Sequence, residues 1–280
     1  MKIILTILAL VASTQALPLW SILSHRNLIN PVFKKAFYKS QPSVPTSRSH
    51  PYHVMICIDD GGLCSGILVA PDKVLTSAQC VTGASTFELH LGRLYLYDDE
   101  LNDALETTTS SRAIIHPDFT RTFENAVHDL ALILLDAPVS KTPAVLPKKS
   151  DNFPLDEYRS VYVVGYGQAD ASEITGMQSM QPFLSESYMA SLLHNQCKGI
   201  LGTALDTPDR HFCAYAPAIS SCYGDPGSPL LMSNTQGQLA LAGIASFGSK
   251  DFCETGAPIV FTNVRTYISW LEANGIPIED

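Results

Sequence analysis

The sequence lacks any apolar run of the ~18 residues that a membrane-spanning helix requires. Its first apolar run, Ile3 to Ala12, is too short, and no later stretch reaches that length. There is no Cys-x-x-Cys pair and no Cys/His cluster of zinc-site spacing, so a metal reading is poor and no cofactor is expected. Internal repeats are absent. Acidic residues are missing from the first 50 positions, whereas Arg26, Lys34, Lys35, Lys39 and Arg48 fall between Ala16 and His50.

That last absence divides the chain electrostatically. Six of the 18 Lys and Arg precede residue 50 and all 27 Asp and Glu follow it, so the remaining 12 leave the body a formal −15. An acidic body of this kind argues against nucleic acid or an anionic membrane as the main partner. The basic leader is either held on the body by charge, cut at a basic site, or simply solvated.

What is present points to secretion. Lys2, the apolar run and the small polar residues up to Ala16 form the pattern of a signal peptide over residues 1–16. Residues 17–49, which include most of the Ser/Pro/Thr-rich "SQPSVPTSRSHP" (40–51), read as a basic leader or linker. Seven cysteines in such a chain indicate disulfides with one thiol left over.

From residue 50 to residue 280 the chain reads as one ordered domain rich in short strands. Runs such as "YHVMICI", "FELHLGRLYLY", "LALILLD", "VYVVGYG" and "LALAGIASFG" are separated by Gly, Pro and Asn turns, the pattern of an all-β barrel or sandwich. "VRTYISWLEANG" places Val264, Tyr267, Ile268 and Leu271 at helical spacing, with Gly275 as a stop, and predicts a C-terminal helix.

Three stretches carry a resemblance. "LTSAQC" (75–80) is similar to the motif LTAAHC, "HDLALILL" (128–135) to NDIALLKL, and "GDPGSPL" (224–230) to GDSGGPL. "PYHV" at 51–54, "HPDF" at 116–119 and "VVGYG" at 163–167 support them, and together they resemble the trypsin/chymotrypsin family of serine proteases over about residues 50–275. The resemblance implies two packed six-stranded antiparallel barrels, with halves of about 50–150 and 151–262, and a cleft between them.

In that family a His activates a Ser nucleophile and a buried Asp orients the His. The matching positions here are Gln79, Pro226 and Asp129. A neutral amide takes up no proton, so Gln79 is no general base. Pro226 has neither a hydroxyl nor a backbone N–H. The resemblance makes that N–H one of two oxyanion donors and leaves Gly224 as the remnant. The expectation is a pseudoenzyme: a secreted, inactive protease homologue that binds a protein partner, an active protease or its substrate, as cofactor, decoy or regulator. Two alternatives are a hydrolase using Ser221 or Ser228, and a precursor that releases its basic leader.

The resemblance also implies disulfides Cys64–Cys80, Cys197–Cys213 and Cys222–Cys253. Cys57 is then left as a buried thiol, with an intermolecular disulfide as the alternative. It places Ser220 at the base of the specificity pocket, Ser246 to Gly248 along its wall, and Ile259 where a glycine is usual, filling it. Asp225 loses the new amino terminus that pairs with it in activated relatives, since no Ile-Val-Gly-Gly-like sequence precedes the body. Arg93 stands where a calcium loop would supply its first acidic ligand, so "YDDELNDALE" (97–106) reads as a solvated acidic loop. His128, next to Asp129 in an extended segment, is expected on the opposite face, at the surface.

Overall fold

The structure is a computed structural model that describes residues 49–59, 61–96, 102, 105–122, 125–151, 153, 159–167, 183–201, 205, 209–216, 226–248 and 258–280. The signal-like segment, the leader up to residue 48, most of the acidic loop, and Ser220, Ser221, Cys222, Gly224, Asp225 and Cys253 lie outside the described residues.

The first half contains β1 (His53–Ile58), β2 (Gly62–Ala70), β3 (Lys73–Thr76), β4 (Phe87–Leu91), β5 (Glu106–Ser110), β6 (Ala113–Ile115), the hairpin β7 (Thr120–Arg121) and β8 (Ala126–Val127), and β9 (Ala131–Leu134). The second contains β10 (Ser160–Gly165), β11 (Ser185–Leu192), β12 (His211–Tyr215), β13 (Pro229–Ser233), β14 (Leu239–Phe247) and β15 (Ile259–Asn263). The second half is a closed barrel in the order β10-β11-β12-β15-β14-β13. The first is a seven-stranded sheet, β5-β4-β1-β2-β3-β9-β6. Its end strands β5 and β6 are consecutive in the chain. Only Ser111 and Arg112 separate them, so a bent strand rather than a ladder joins the two edges, and this half rolls without a complete hydrogen-bonded closure.

Alternation explains how these strands bury their residues. In β4, Phe87, Leu89 and Leu91 are buried while Glu88 is exposed and His90 partly so. Val54 and Ile56 of β1 join them in the core of the first half, with Leu68, Val74 and Ile133. Met55 of β1 faces a second layer, which gathers Ile67, Leu75 and Leu132 from the first half with Val164, Leu231 and Ile244 from the second. This apolar seam holds the halves together. The C-terminal segment supplies Val264, Tyr267, Leu271 and Ile276 to it.

That segment departs from the expected continuous helix. Val264–Tyr267 forms a 3-10 turn and only Ile268–Ala273 is α-helical. The tight first turn follows from Asn263, whose side chain accepts a hydrogen bond from the Arg265 N–H at 3.2 Å. Gly275, at φ +76°, ends the segment in the left-handed conformation that glycine tolerates.

Candidate functional site

The site lies where the seam meets three structural irregularities. The first is a four-residue helix, Ala78–Val81, that follows β3 directly and carries Gln79. A disulfide between Cys64 of β2 and Cys80 fixes this helix to the sheet. The second is the backbone before β9: His128 has φ +55°, an uncommon conformation for a residue with a Cβ, and Asp129 follows it. The third is a register shift between β14 and β15 at Ala245/Phe247. Ser246 is the extra residue there, and such a bulge re-aims a side chain.

These irregularities converge on the Asp129 carboxylate, which is completely buried. The Gln79 backbone N–H donates to Oδ1 at 2.9 Å, and Gln79 Nε2 donates to Oδ2 at 2.8 Å. Ser246 Oγ donates to Oδ2 at 2.5 Å. Gln79 Nε2 also donates to the Ser246 carbonyl at 2.5 Å. Both amide hydrogens are therefore committed, and the amide orientation is fixed by its partners: the reversed arrangement would set Oε1 against two acceptors. Thr262 Oγ1 holds the Asp129 carbonyl at 3.1 Å. Burial pushes the Asp129 carboxyl up, against the opposing pull of its three donors.

Pro226 borders this network, its carbonyl 3.5 Å from the Sγ of Cys80, the residue after Gln79. Its carbonyl accepts from the Ser65 N–H of β2 at 2.9 Å, and the Gly227 N–H donates to the Ala245 carbonyl of β14 at 2.8 Å. Gly227 has φ +88°, and a Cβ there would lie 1.9 Å from the Ser65 carbonyl oxygen. Only glycine permits that approach. Thr76 Oγ1 donates to the same carbonyl at 2.7 Å. The Pro226–Gly227 corner is thus tied to both halves.

Ser228, one residue further, is fully buried, and its hydroxyl has no hydrogen-bond partner among the described residues. A nucleophile needs both a base and access, and among the described residues Ser228 has neither. Ser246 and Ile259 are each 3% exposed. Ile259 packs in the second core with Phe212 and Phe261, while Gly248 is half-buried. The role of Ser246 was not legible as wall-lining: its hydroxyl serves the carboxylate, and the bulge that turns it inward depends on register, which short motifs do not encode.

His128 is half-exposed, in keeping with the expectation of a surface residue, but not for the expected reason. Its positive φ breaks the alternation on which that expectation rested. Its ring stacks on His116 at 4.8 Å and its Nδ1 lies 3.2 Å from the Tyr267 hydroxyl. Burial lowers both imidazole pKa values. Cys197 and Cys213 form a second disulfide, and Cys57 is a free, half-buried thiol. Among the described residues no group of three or more His, Cys, Asp or Glu could hold a metal ion, and no helix is long and apolar enough to cross a membrane.

A closed β-barrel packed on a rolled sheet, with a buried Asp presented at their seam, defines the trypsin-like serine protease class. The comparisons agree. The profile of the family described as Trypsin matches residues 41–271, and the chain belongs to that family. It is 33% identical over 240 residues to serine protease 56 of Mus musculus, covering 82% of this chain and 37% of that protein. It is 32% identical to serine protease 56 of Homo sapiens, covering 79% and 36%. It is 27% identical to the human chymotrypsin-like elastase family member 3B, covering 80% and 84%. The matched region therefore spans little more than a third of the length of the serine protease 56 proteins.

Proposed function

We propose that this chain is a secreted, catalytically silent member of the trypsin family that acts by binding, as a cofactor, decoy or regulator of extracellular proteolysis. Its partner in this reading is an active protease or a protease substrate. The observation that carries the reading is the Gln79 amide, whose two Nε2 hydrogens both point to acceptors of the scaffold. A side chain in that position stabilises Asp129 and has no site for a proton in transit.

Pro226 supports the same conclusion from the nucleophile side, because its ring nitrogen carries no hydrogen and its side chain no oxygen. Loss of either the Ser or the His of a serine protease costs on the order of 10⁶ in kcat. A missing oxyanion donor removes roughly a further 10²-fold or more. Two disulfides and the signal-like amino terminus support an oxidising, extracellular setting.

The experiment is hydrolysis of a panel of activated peptide esters by the purified full chain and by a Gln79→His/Pro226→Ser double variant. Silence of the wild type is expected. Turnover by the wild type, together with labelling by a serine-directed reagent, would refute the proposal and require a nucleophile outside the described site.

A further inference from the structure

Proteases of this class pair a buried carboxylate with an imidazole that becomes cationic as the reaction proceeds. In this chain the carboxylate persists without that cation. Asp129 is fully buried, and all three groups that donate to it, the Gln79 N–H, Gln79 Nε2 and Ser246 Oγ, are neutral. The basic side chain acting on it at longer range is Arg121, exposed on β7.

The polarity of the surrounding groups is equally one-sided. Gln79 Nε2 is spent on Asp129 and the Ser246 carbonyl, the Gly227 N–H on the Ala245 carbonyl, the Ser246 hydroxyl on Asp129, and Pro226 has no N–H. Among the described residues the one unspent donor beside this centre is the Ser228 hydroxyl, which is fully buried and out of a ligand's reach. The unspent group that reaches the surface is an acceptor: Gln79 Oε1 receives no hydrogen bond, is not among the buried unpartnered atoms, and belongs to a half-exposed residue. An acyl carbonyl or an oxyanion requires donors at this place. A ligand that brings donors and a positive charge does not.

We infer that the centre of the cleft recognises a cationic hydrogen-bond donor, a guanidinium or ammonium group presented by a polypeptide, seated on Gln79 Oε1 within the field of Asp129. This inference rests on the binding reading above and names the chemistry of the group bound there. The cation occupies the electrostatic place of the missing imidazolium, and the Gln79 amide relays the charge of the carboxylate to the surface. A hydrogen bond to a charged donor is stronger than one to a neutral donor, and the underlying carboxylate widens the difference.

The test uses the ¹⁵N-labelled full chain at low ionic strength, observing the Gln79 side-chain amide during titration with butylguanidinium chloride. Butylurea serves as the neutral probe of the same shape, and pentanoate as the anion. A saturable shift is expected with butylguanidinium, about tenfold weaker with butylurea, absent with pentanoate and weakened by salt. Gln79→Leu, which keeps the carboxylate and removes the acceptor, should lower the affinity about tenfold, read from the neighbouring backbone amides. Asp129→Asn should remove the preference for the charged probe. If Asp129→Asn does not fold, Gln79→Leu and the butylurea comparison still decide the matter. Equal affinity for butylguanidinium and butylurea, unchanged affinity in Gln79→Leu, or no shift at any soluble concentration overturns the inference. Ester turnover by the wild type would instead remove the reading beneath it, whereas a silent enzyme with no response to butylguanidinium rejects only the ligand chemistry.

Discussion

His53 makes the stability of this protein sensitive to mild acid. The residue lies on β1, is 1% exposed, and neither ring nitrogen has a hydrogen-bond partner among the described residues. Its ring meets Tyr166 edge to face at 5.5 Å across the seam. Burial, with a smaller repulsion from His50, lowers its pKa from 6.5 to about 3. The folded protein therefore keeps His53 neutral while the unfolded chain takes up a proton below pH 6.5. Stability from this group is intact above that value and falls as the pH drops toward 3. At about 1.4 kcal/mol per pH unit, the full window is worth about 5 kcal/mol, and the part between pH 7 and pH 5 about 2 kcal/mol. Denaturant unfolding of wild type and His53→Phe at pH 7, 6 and 5, with disulfides intact, measures it. His50, His116 and His128 contribute to both proteins, so the difference between the two isolates His53. The substitution keeps an aromatic ring against Tyr166 and should gain about 2 kcal/mol on the wild type between pH 7 and 5. Parallel pH dependences of the two proteins would refute the argument.

Three further outcomes are expected from equilibrium unfolding. Gly227→Ala should cost about 3 kcal/mol or more, since its Cβ meets the Ser65 carbonyl at 1.9 Å and its φ is +88°; a loss below about 1 kcal/mol would show that the corner yields easily. Ser228→Ala should stabilise by about 1 kcal/mol, because it removes a buried hydroxyl that lacks a partner; a loss of stability would mean that the hydroxyl has a partner after all. Asp129→Ala should cost about 3 kcal/mol by leaving the Gln79 and Ser246 donors without their acceptor, and a neutral result would show that Gln79 can turn its amide to solvent.

Much of the fold was legible because the barrel strands obey their period. β4 alternates cleanly, and most of the first-half core comes from runs read as strands, whereas Met189, Phe212 and Ala214 of the second-half core lie on β11 and β12, which were not read as strands. The strand β11 was not legible, since Ser185, Ser187 and Ser191 occupy buried positions where apolar residues would have signalled it. The helix His194–Leu201 was missed for a related reason: Cys197 is its one buried residue, so no apolar stripe marks it. The rolled first half, joined through Ser111 and Arg112, follows from a bend that leaves no mark on composition. At the site, motif order was enough to pair Gln79 with Asp129. The double use of the Gln79 amide and the inward turn of Ser246 were not readable, because both depend on a one-residue bulge between strands far apart in sequence.

On the binding reading proposed above, neither single substitution toward the family pattern should produce turnover. Gln79→His returns an imidazole to a carboxylate that Ser246 Oγ and the residue 79 N–H already hold in place, yet with Pro226 unchanged there is no hydroxyl for it to deprotonate. Pro226→Ser returns a hydroxyl and a backbone N–H together, yet Gln79 cannot receive the proton that attack releases. Contributions of residues that act as a unit are grossly non-additive, so activity is to be sought in the double variant and not as a sum of singles.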